Sequence, residues 1–202
     1  MDLAVLLPVK RFEHAKGRLA ALLDEAARAR LARWLAARVV GAVRPLPTFI
    51  ACDDEGVATW ADSEGAEVLW TPQLGLNGAV DGSRAMIAGK GFDHLVVAHS
   101  DLPLAAGLAA VAVPGTVTLV PDRHGDGTNV VAAPLDAPLR AVYGAGSFRA
   151  HLGQALAGPH PVSVRRDGAL GLDVDTVADL THPLIREELP AWLQTILAGH
   201  RR

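Results

Sequence analysis

Leu3-Ala4-Val5-Leu6-Leu7-Pro8, followed at once by Val9-Lys10-Arg11-Phe12-Glu13-His14-Ala15-Lys16-Gly17-Arg18, is the stretch whose reading decides the fold. The apolar run Leu3 to Leu7 predicts a first strand, over Leu3–Val9, buried on both faces as in a parallel sheet. Pro8 has no N–H to give to a ladder and marks its end. Four cations then fall within nine residues: Lys10, Arg11, Lys16 and Arg18. The chain has only three lysines, and two of them stand here. Open α/β sheets bind ligands beyond the carboxyl ends of their strands. A first strand that runs into a basic loop therefore points to an anionic ligand, with phosphate the leading candidate.

Working outward, Ala15 to Gly41 carries apolar residues at helical spacing, Leu19, Leu22, Leu23, then Leu31, Leu35 and Val39. Asp24 is placed to cap a second helical piece. Arg28, Arg30, Arg33 and Arg38 read most simply as its solvated face. Thr48–Cys52 is a second strand, Asp53-Asp54 caps a helix over Glu55–Ser63, and Ala66–Trp70 is a third strand. A turn-rich loop, Thr71–Gly78, leads to a helix over Ala79–Ala88 with Asn77 as its N-cap. Leu95–Ala98 is a fourth strand, running into His99-Ser100-Asp101-Leu102-Pro103. Thr116–Val120, Val130–Ala133 and Val162–Arg165 follow as strands, with Ala150–Leu156 as a helix. Gly171–Thr176 reads as extended and Val177–Leu180 as helical. A C-terminal amphipathic helix over about 184–198 carries Leu189, Trp192, Leu193, Ile196 and Leu197, packed on the body or at a homodimer contact. Arg201 and Arg202 look like a solvated tail.

Strands alternating with helices give an α/β class with a mostly parallel mixed sheet and helices on both faces, an αβα sandwich. The alternation breaks over about 121–166, read as strands and loops that lid the site within one domain spanning 1–202. Half the residues are apolar and a fifth charged, which is globular rather than disordered. A net charge of −3 argues against a nucleic-acid partner and makes the basic loop a local feature. The one cysteine, Cys52, excludes an internal disulfide, fits a reducing cytoplasm and reads as a small core residue. No apolar run reaches the ~20 residues that span a bilayer. Asp2 and the lack of a basic leader with a cleavage site speak against a signal peptide.

The chemistry gathers on Asp101, Asp173 and Asp175. Two residues apart in an extended segment, Asp173 and Asp175 share a face, whereas a helix would separate them by about 200°. Three carboxylates converging at a sheet edge repel unless a cation joins them. Hard oxygen ligands select Mg²⁺ or Mn²⁺, and Mg²⁺ commonly bridges carboxylates to substrate phosphates. Lys10, Lys16 and Arg18 would neutralise the phosphate side. Gly144-Ala145-Gly146-Ser147, opening a helix, offers a further anion seat. The set suits phosphoryl or nucleotidyl transfer, where positioning and charge neutralisation carry the reaction. No P-loop and no G-x-G-x-x-G after the first strand is present, which disfavours a P-loop kinase or a dinucleotide dehydrogenase. The eight histidines fall in no zinc spacing.

Six ordered motifs carry a resemblance. They are Pro8-Val9-Lys10 with Ala15-Lys16-Gly17-Arg18-Leu19, Gly75-Leu76-Asn77, Asp101-Leu102-Pro103-Leu104, Pro121-Asp122-Arg123-His124-Gly125 with Gly127-Thr128-Asn129, Gly146-Ser147-Phe148 with His151, and Leu172-Asp173-Val174-Asp175-Thr176. Over residues 3 to about 182 the chain resembles the phosphoenolpyruvate and 2-phospho-L-lactate guanylyltransferases of coenzyme F-420 biosynthesis. The resemblance implies a Rossmann-like nucleotidyltransferase fold, related to the MobA-type and sugar-nucleotide transferases. It implies transfer of GMP from GTP to a three-carbon phospho-acid, with pyrophosphate released and a downstream transferase consuming the product. Asp101, Asp173 and Asp175 would hold Mg²⁺, with Lys16 also catalytic. Lys10, Lys16 and Arg18 fall where GTP phosphates are held and Asn77 near the nucleoside. Thr128, Gly144 and Ser147 fall in the phosphoenolpyruvate pocket.

There are two departures from the family pattern: His99-Ser100 stand where small apolar residues are expected, and Trp70 where a polar or acidic residue is commoner. The lysine-poor, Ala/Arg-rich composition favours phosphoenolpyruvate over 2-phospho-L-lactate or 3-phospho-D-glycerate. Competing readings are another nucleotidyltransferase of the same fold, using CTP or a sugar phosphate, and a non-catalytic nucleotide-binding module. The latter has no need of three converging acids.

Overall fold

The computed structural model describes residues 1–200; the tail expected at Arg201 and Arg202 lies outside the described residues. Those residues form seven strands, β1 (Leu3–Pro8), β2 (Thr48–Cys52), β3 (Glu67–Trp70), β4 (His94–Ala98), β5 (Val117–Pro121), β6 (Thr128–Pro134) and β7 (Val162–Val164). They hydrogen-bond in the order β3-β2-β1-β4-β6-β5-β7. β1 is parallel to β2 and β4, β2 to β3, and β5 to β7. Only β6 is reversed, antiparallel to β4 and β5. The expected mostly parallel α/β sheet is the observed one.

From β1 the chain winds outward to β2 and β3, then returns across β1 to β4. Winding thus reverses between β1 and β4, the place where an open α/β sheet leaves a crevice at its carboxyl edge. The apolar run of β1 is buried because both faces are covered. Val5 and Leu7 pack with Ala36, Val39 and Val40 of α1 (Glu25–Val43) and Val57, Trp60 and Ala61 of α2 (Glu55–Ser63). Ala4 and Leu6 pack with Val80 and Ile87 of α3 (Gly75–Gly89) and Ala155 of α4 (Ser147–Ala157). After α4 and β7 come a short helix α5 (Val177–Leu180) and α6 (Ala191–Gly199). Leu31 and Leu35, on another side of α1, meet Leu180, Ile185, Leu189, Leu193 and Leu197. The C-terminal segment therefore packs on the body. Cys52 is buried and free, as a core residue would be. No helix among the described residues is long and apolar enough to cross a membrane.

Several expectations need correction. Residues 12–19 form 3-10 turns, Phe12–His14 and Gly17–Leu19, and the regular helix starts only after Asp24, whose side chain accepts from Ala27 N at 2.8 Å. The arginines of α1 are not simply solvated. Arg30 stacks over Trp192, Arg33 over Phe12, and Arg38 donates to Pro103 O and to Glu188. Their aliphatic stems and planar heads cover apolar surface while the charge stays wet.

Asn77 is not an N-cap, because α3 already starts at Gly75. The two glycines that look like a turn have different reasons: Gly75 takes a left-handed backbone (φ 62°) where the helix opens, and a Cβ on Gly78 would stand 3.0 Å from Leu74 Cβ. The helix expected over 184–198 begins at Ala191, with turns before it. Pro190 has no N–H for a helix interior and clashes with the preceding turn. The segment 121–166 supplies β6 and β7 to the sheet, β6 between β4 and β5, and its loops at 122–127 and 143–147 border the cavity described below.

Candidate active site

Lys16 lies between the two 3-10 turns that follow β1, with a left-handed backbone (φ 56°) that costs a residue bearing a Cβ about 1–2 kcal/mol. Its ammonium sits between two acids. Nζ donates to Asp101 Oδ2 at 2.7 Å and to Asp175 Oδ1 at 3.1 Å. Arg18 Nη1 reaches Asp175 Oδ2 at 3.4 Å.

Asp101 lies three residues beyond β4. Its carbonyl accepts Val174 N at 3.2 Å, which docks the 173–175 segment beside it. Asn129, at the start of β6, donates from Nδ2 to Leu170 O at 3.0 Å and to Asp173 Oδ1 at 3.4 Å. The reversed direction of β6 makes this possible: its first residues lie beside the end of β4, where His99 N donates to Asn129 O at 3.0 Å. Asp101, Asp173 and Asp175 each bring one carboxylate oxygen to within 4.8 Å of the others.

The charges are unevenly met. Burial opposes the Lys16 ammonium, but Asp101 and Asp175 more than offset it and hold its pKa above the ordinary value. Burial acts to raise Asp101, yet Lys16 and then His99 keep it lowered. Asp173 is raised, by burial first and then by the negative charge of Asp101 and Asp175. Asp101 Oδ1 is buried without a hydrogen-bond partner. One ammonium among three carboxylates, with an orphaned oxygen, is a donor set suited to a hard divalent cation.

Behind this cluster, Asp179 Oδ2 accepts Asp175 N at 3.0 Å, Thr176 N at 2.7 Å and Thr176 Oγ1 at 2.8 Å, while Arg123 binds Oδ1. Thr176 and Asp179 also form the capping box of α5. Asp179 thus fixes the backbone that carries Asp175. Asp179→Ala is expected to cost about 2–3 kcal/mol in chemical denaturation, since it strips several buried donors of one acceptor. It should also weaken stabilisation by added Mg²⁺ more than Asp62→Ala, a remote surface control.

On the far side, Asp122 Oδ1 accepts His124 N and Asp126 N, both at 3.0 Å, and Oδ2 accepts Gly127 N at 2.9 Å. Asp126 in turn accepts Gly146 N through Oδ2 and Phe148 N through its carbonyl. The 122–127 loop and the 143–147 loop are thereby tied. Gly144 (φ 133°) and Gly146 (φ 70°) take backbone conformations that a Cβ disfavours, and α4 opens at Ser147.

Lys10, Lys16, Arg18, Asp101, Thr128, Gly144, Ser147, Asp173 and Asp175 all line one cavity of about 680 Å³. A neighbouring hollow of about 270 Å³, bordered by Cys52, Asp53, Thr71 and Gly75, shares Pro8, Val9, Lys10, His14 and Leu76 with it. Asn77 is not on the cavity wall. Its amide accepts Tyr143 N at 2.7 Å and donates to Tyr143 O at 3.3 Å, so it clamps the 143–147 loop. Lys16 also differs from expectation: it pairs with the acids instead of facing them across the site. Sequence reading gave no role to Asn129, Asp179 or Asp126. Of these, the Thr176-x-x-Asp179 capping box was the one signal in plain view.

A family model described as "Guanylyl transferase CofC like" matches residues 3–188. A phosphoenolpyruvate guanylyltransferase of Sphaerobacter thermophilus is 33% identical over 190 residues, covering 89% of this chain and 91% of that protein. A 2-phospho-L-lactate guanylyltransferase of Methanothermobacter thermautotrophicus is 30% identical over 196 residues, covering 93% and 86%. Among solved structures, a protein of Desulfovibrio desulfuricans described as a nucleotide-diphospho-sugar transferase superposes with TM-score 0.74 at 18% identity, over 99% of this chain and 95% of its own, which shows a shared fold.

Proposed function

The chain belongs to the CofC-like guanylyl transferase family, and from that premise we propose that it transfers GMP from GTP to phosphoenolpyruvate, releasing pyrophosphate, as a step in coenzyme F-420 biosynthesis. The observation that carries this reading is the carboxylate trio, Asp101, Asp173 and Asp175, set within 4.8 Å at the β1/β4 switch point against the basic loop that follows β1. A phosphate oxygen of the acceptor attacks the α-phosphorus of GTP in line. The bond to the bridging oxygen breaks, and the electron pair leaves on pyrophosphate. No general base is needed, because a phosphate monoester is largely ionised at pH 7.

Lys10, Lys16 and Arg18 hold the triphosphate and meet the charge that grows on the leaving group. Asp101, Asp173 and Asp175 would hold Mg²⁺, or Mn²⁺, which supplies charge neutralisation at the reacting phosphates. The orphaned Asp101 Oδ1 and the charge deficit of the cluster support that assignment. The hollow beside Cys52, Asp53 and Thr71 takes the guanine base. There Asp53 offers a carboxylate to a base edge made of two donors. Asn77, expected near the nucleoside, instead serves the acceptor side, through Tyr143 and the 143–147 loop. Thr128, Gly144 and Ser147 receive the acid. The product is a reactive mixed diphosphate for a downstream transferase, and the work is done in the cytoplasm.

The test is mass spectrometry of products from GTP or CTP with Mg²⁺ and each of phosphoenolpyruvate, 2-phospho-L-lactate and 3-phospho-D-glycerate. GTP-specific formation of the phosphoenolpyruvate adduct is expected. A CTP product, or a 2-phospho-L-lactate adduct in its place, would replace this reading with another member of the fold or of the family. The 30% identical Methanothermobacter relative is what keeps 2-phospho-L-lactate as the second reading.

A further inference from the structure

One buried imidazole at the acceptor end of the cavity has its hydrogen bonds dictated by its partners. His151 lies one turn into α4, four residues after Ser147, and is 2% exposed. Its Nε2 stands 3.2 Å from Val142 N, and a backbone N–H can only donate. Nε2 is therefore the bare nitrogen. Burial, then the nearby His99, pushes the ring pKa down to about 4, so the imidazole is neutral at pH 7. Its single proton must be on Nδ1, which faces Thr128 Oγ1 at 3.0 Å. The Tyr143 ring packs edge-on against the imidazole at 4.9 Å and keeps its plane.

The consequence falls on Thr128. Its oxygen accepts from His151 Nδ1, and Ser147 Oγ approaches the same oxygen as a donor at 3.4 Å. With His151 Nδ1 and Ser147 Oγ both donating to that oxygen, the Thr128 proton is free to turn to the cavity that Thr128 lines. We infer that His151 is a positioning residue that fixes the Thr128 hydroxyl as a hydrogen-bond donor to an anionic oxygen of the acceptor acid. The role rests on the acceptor-pocket reading given above. It makes this end of the site a place for carboxylate or phosphate oxygen, and a poor one for a donor group.

The experiment uses the full chain, with Thr128→Val, His151→Leu, His151→Asn and the Thr128→Val/His151→Leu double variant. The Michaelis constants for phosphoenolpyruvate and for GTP are measured separately. Loss of one charge-assisted hydrogen bond is expected to raise the phosphoenolpyruvate constant about tenfold in each of T128V and H151L. The GTP constant should stay within about twofold, because no phosphate or base contact changes. The double variant should be no worse than T128V alone, since His151 acts only through Thr128. H151N, whose Nδ2 stands where Nδ1 stood, should recover most of the loss. Long-range ¹H–¹⁵N spectra of the wild type should show a neutral Nδ1–H tautomer at pH 7.

Additive losses in the double variant, an equal rise in the GTP constant, or an Nε2–H tautomer would overturn the inference while leaving the guanylyl transfer in place. Absence of wild-type turnover on every acid of the panel would instead remove the acceptor reading, and this inference with it.

Discussion

Asp173→Asn is expected to lower turnover about 10³-fold or more while raising the thermal midpoint of the metal-free protein, two effects of opposite sign from one substitution. The amide keeps the shape of the carboxylate and can still accept from Asn129 Nδ2, so the local geometry survives. What is lost is one of three negative charges. In the free protein that charge is a liability: burial, Asp101 and Asp175 all raise the pKa of Asp173. A carboxyl whose pKa is higher folded than unfolded binds more protons in the native state. Its contribution therefore falls as pH rises from the ordinary carboxylate value through the raised one, and is unfavourable at pH 7. Removing the charge should stabilise the protein at neutral pH and have no such effect at pH 3. Calorimetry at the two pH values, with steady-state pyrophosphate release, measures both. Added Mg²⁺ should raise the wild-type midpoint and not that of the variant. Wild-type turnover in Asp173→Asn would remove the metal assignment, and a lower midpoint at pH 7 would remove the electrostatic one.

Lys16→Met is the second large effect. The Lys16 side chain is 7% exposed and its ammonium serves both Asp101 and Asp175. Methionine keeps much of the stem and deletes the charge. Turnover is expected to fall about 10²–10³-fold, the usual cost of losing one preorganised charge at a phosphoryl centre. Stability should fall by about 2–4 kcal/mol at pH 7, because a buried partner charge is left behind; the 41% exposure of Asp175 keeps the loss below that of a fully buried pair. The sign with pH is fixed by both partners. Lys16 is raised, so its contribution is complete below its ordinary pKa and fades only in alkali. Asp101 is lowered, so its contribution is present above the ordinary carboxylate value and fades in acid. The deficit of Lys16→Met relative to wild type should therefore be largest near neutrality and shrink as pH falls through the carboxylate range. Urea unfolding at pH 7 and at about pH 2, below the ordinary carboxylate value, tests this. A deficit that is equal at both would mean that Lys16 contributes by packing alone.

Much of this site was legible because its parts are local patterns. A buried strand opening into a basic loop, an acid just past the fourth strand, and two acids spaced for one face each have a physical reading within a few residues. The Glu55–Ser63 helix and its cap at Asp54 were likewise legible, since a cap is a contact over three residues. Illegible features depend on what lies across the fold. Gly78 looks like a turn residue until the closeness of Leu74 explains it. Asn77 looks like a cap until Tyr143 is found on its amide, 66 residues away. The arginines of α1 look solvated until Trp192 and Phe12 come under them.

By itself the sequence determined that strands buried on both faces alternate with helices, that the carboxyl edge of the first strand is basic, and that Asp101, Asp173 and Asp175 are the acids to bring together. Tertiary structure alone decided how they meet. The strand order reverses at β1/β4 and opens the crevice, and a single reversed strand, β6, delivers Thr128 and Asn129 to it. Val174 docks on Asp101 across 73 residues of chain, and Lys16 turns in to join the acids instead of facing them. Side-chain type and spacing set what a short segment can do; pairing between distant segments is chosen by burial and hydrogen bonding summed over the whole sheet, and no local window contains that sum.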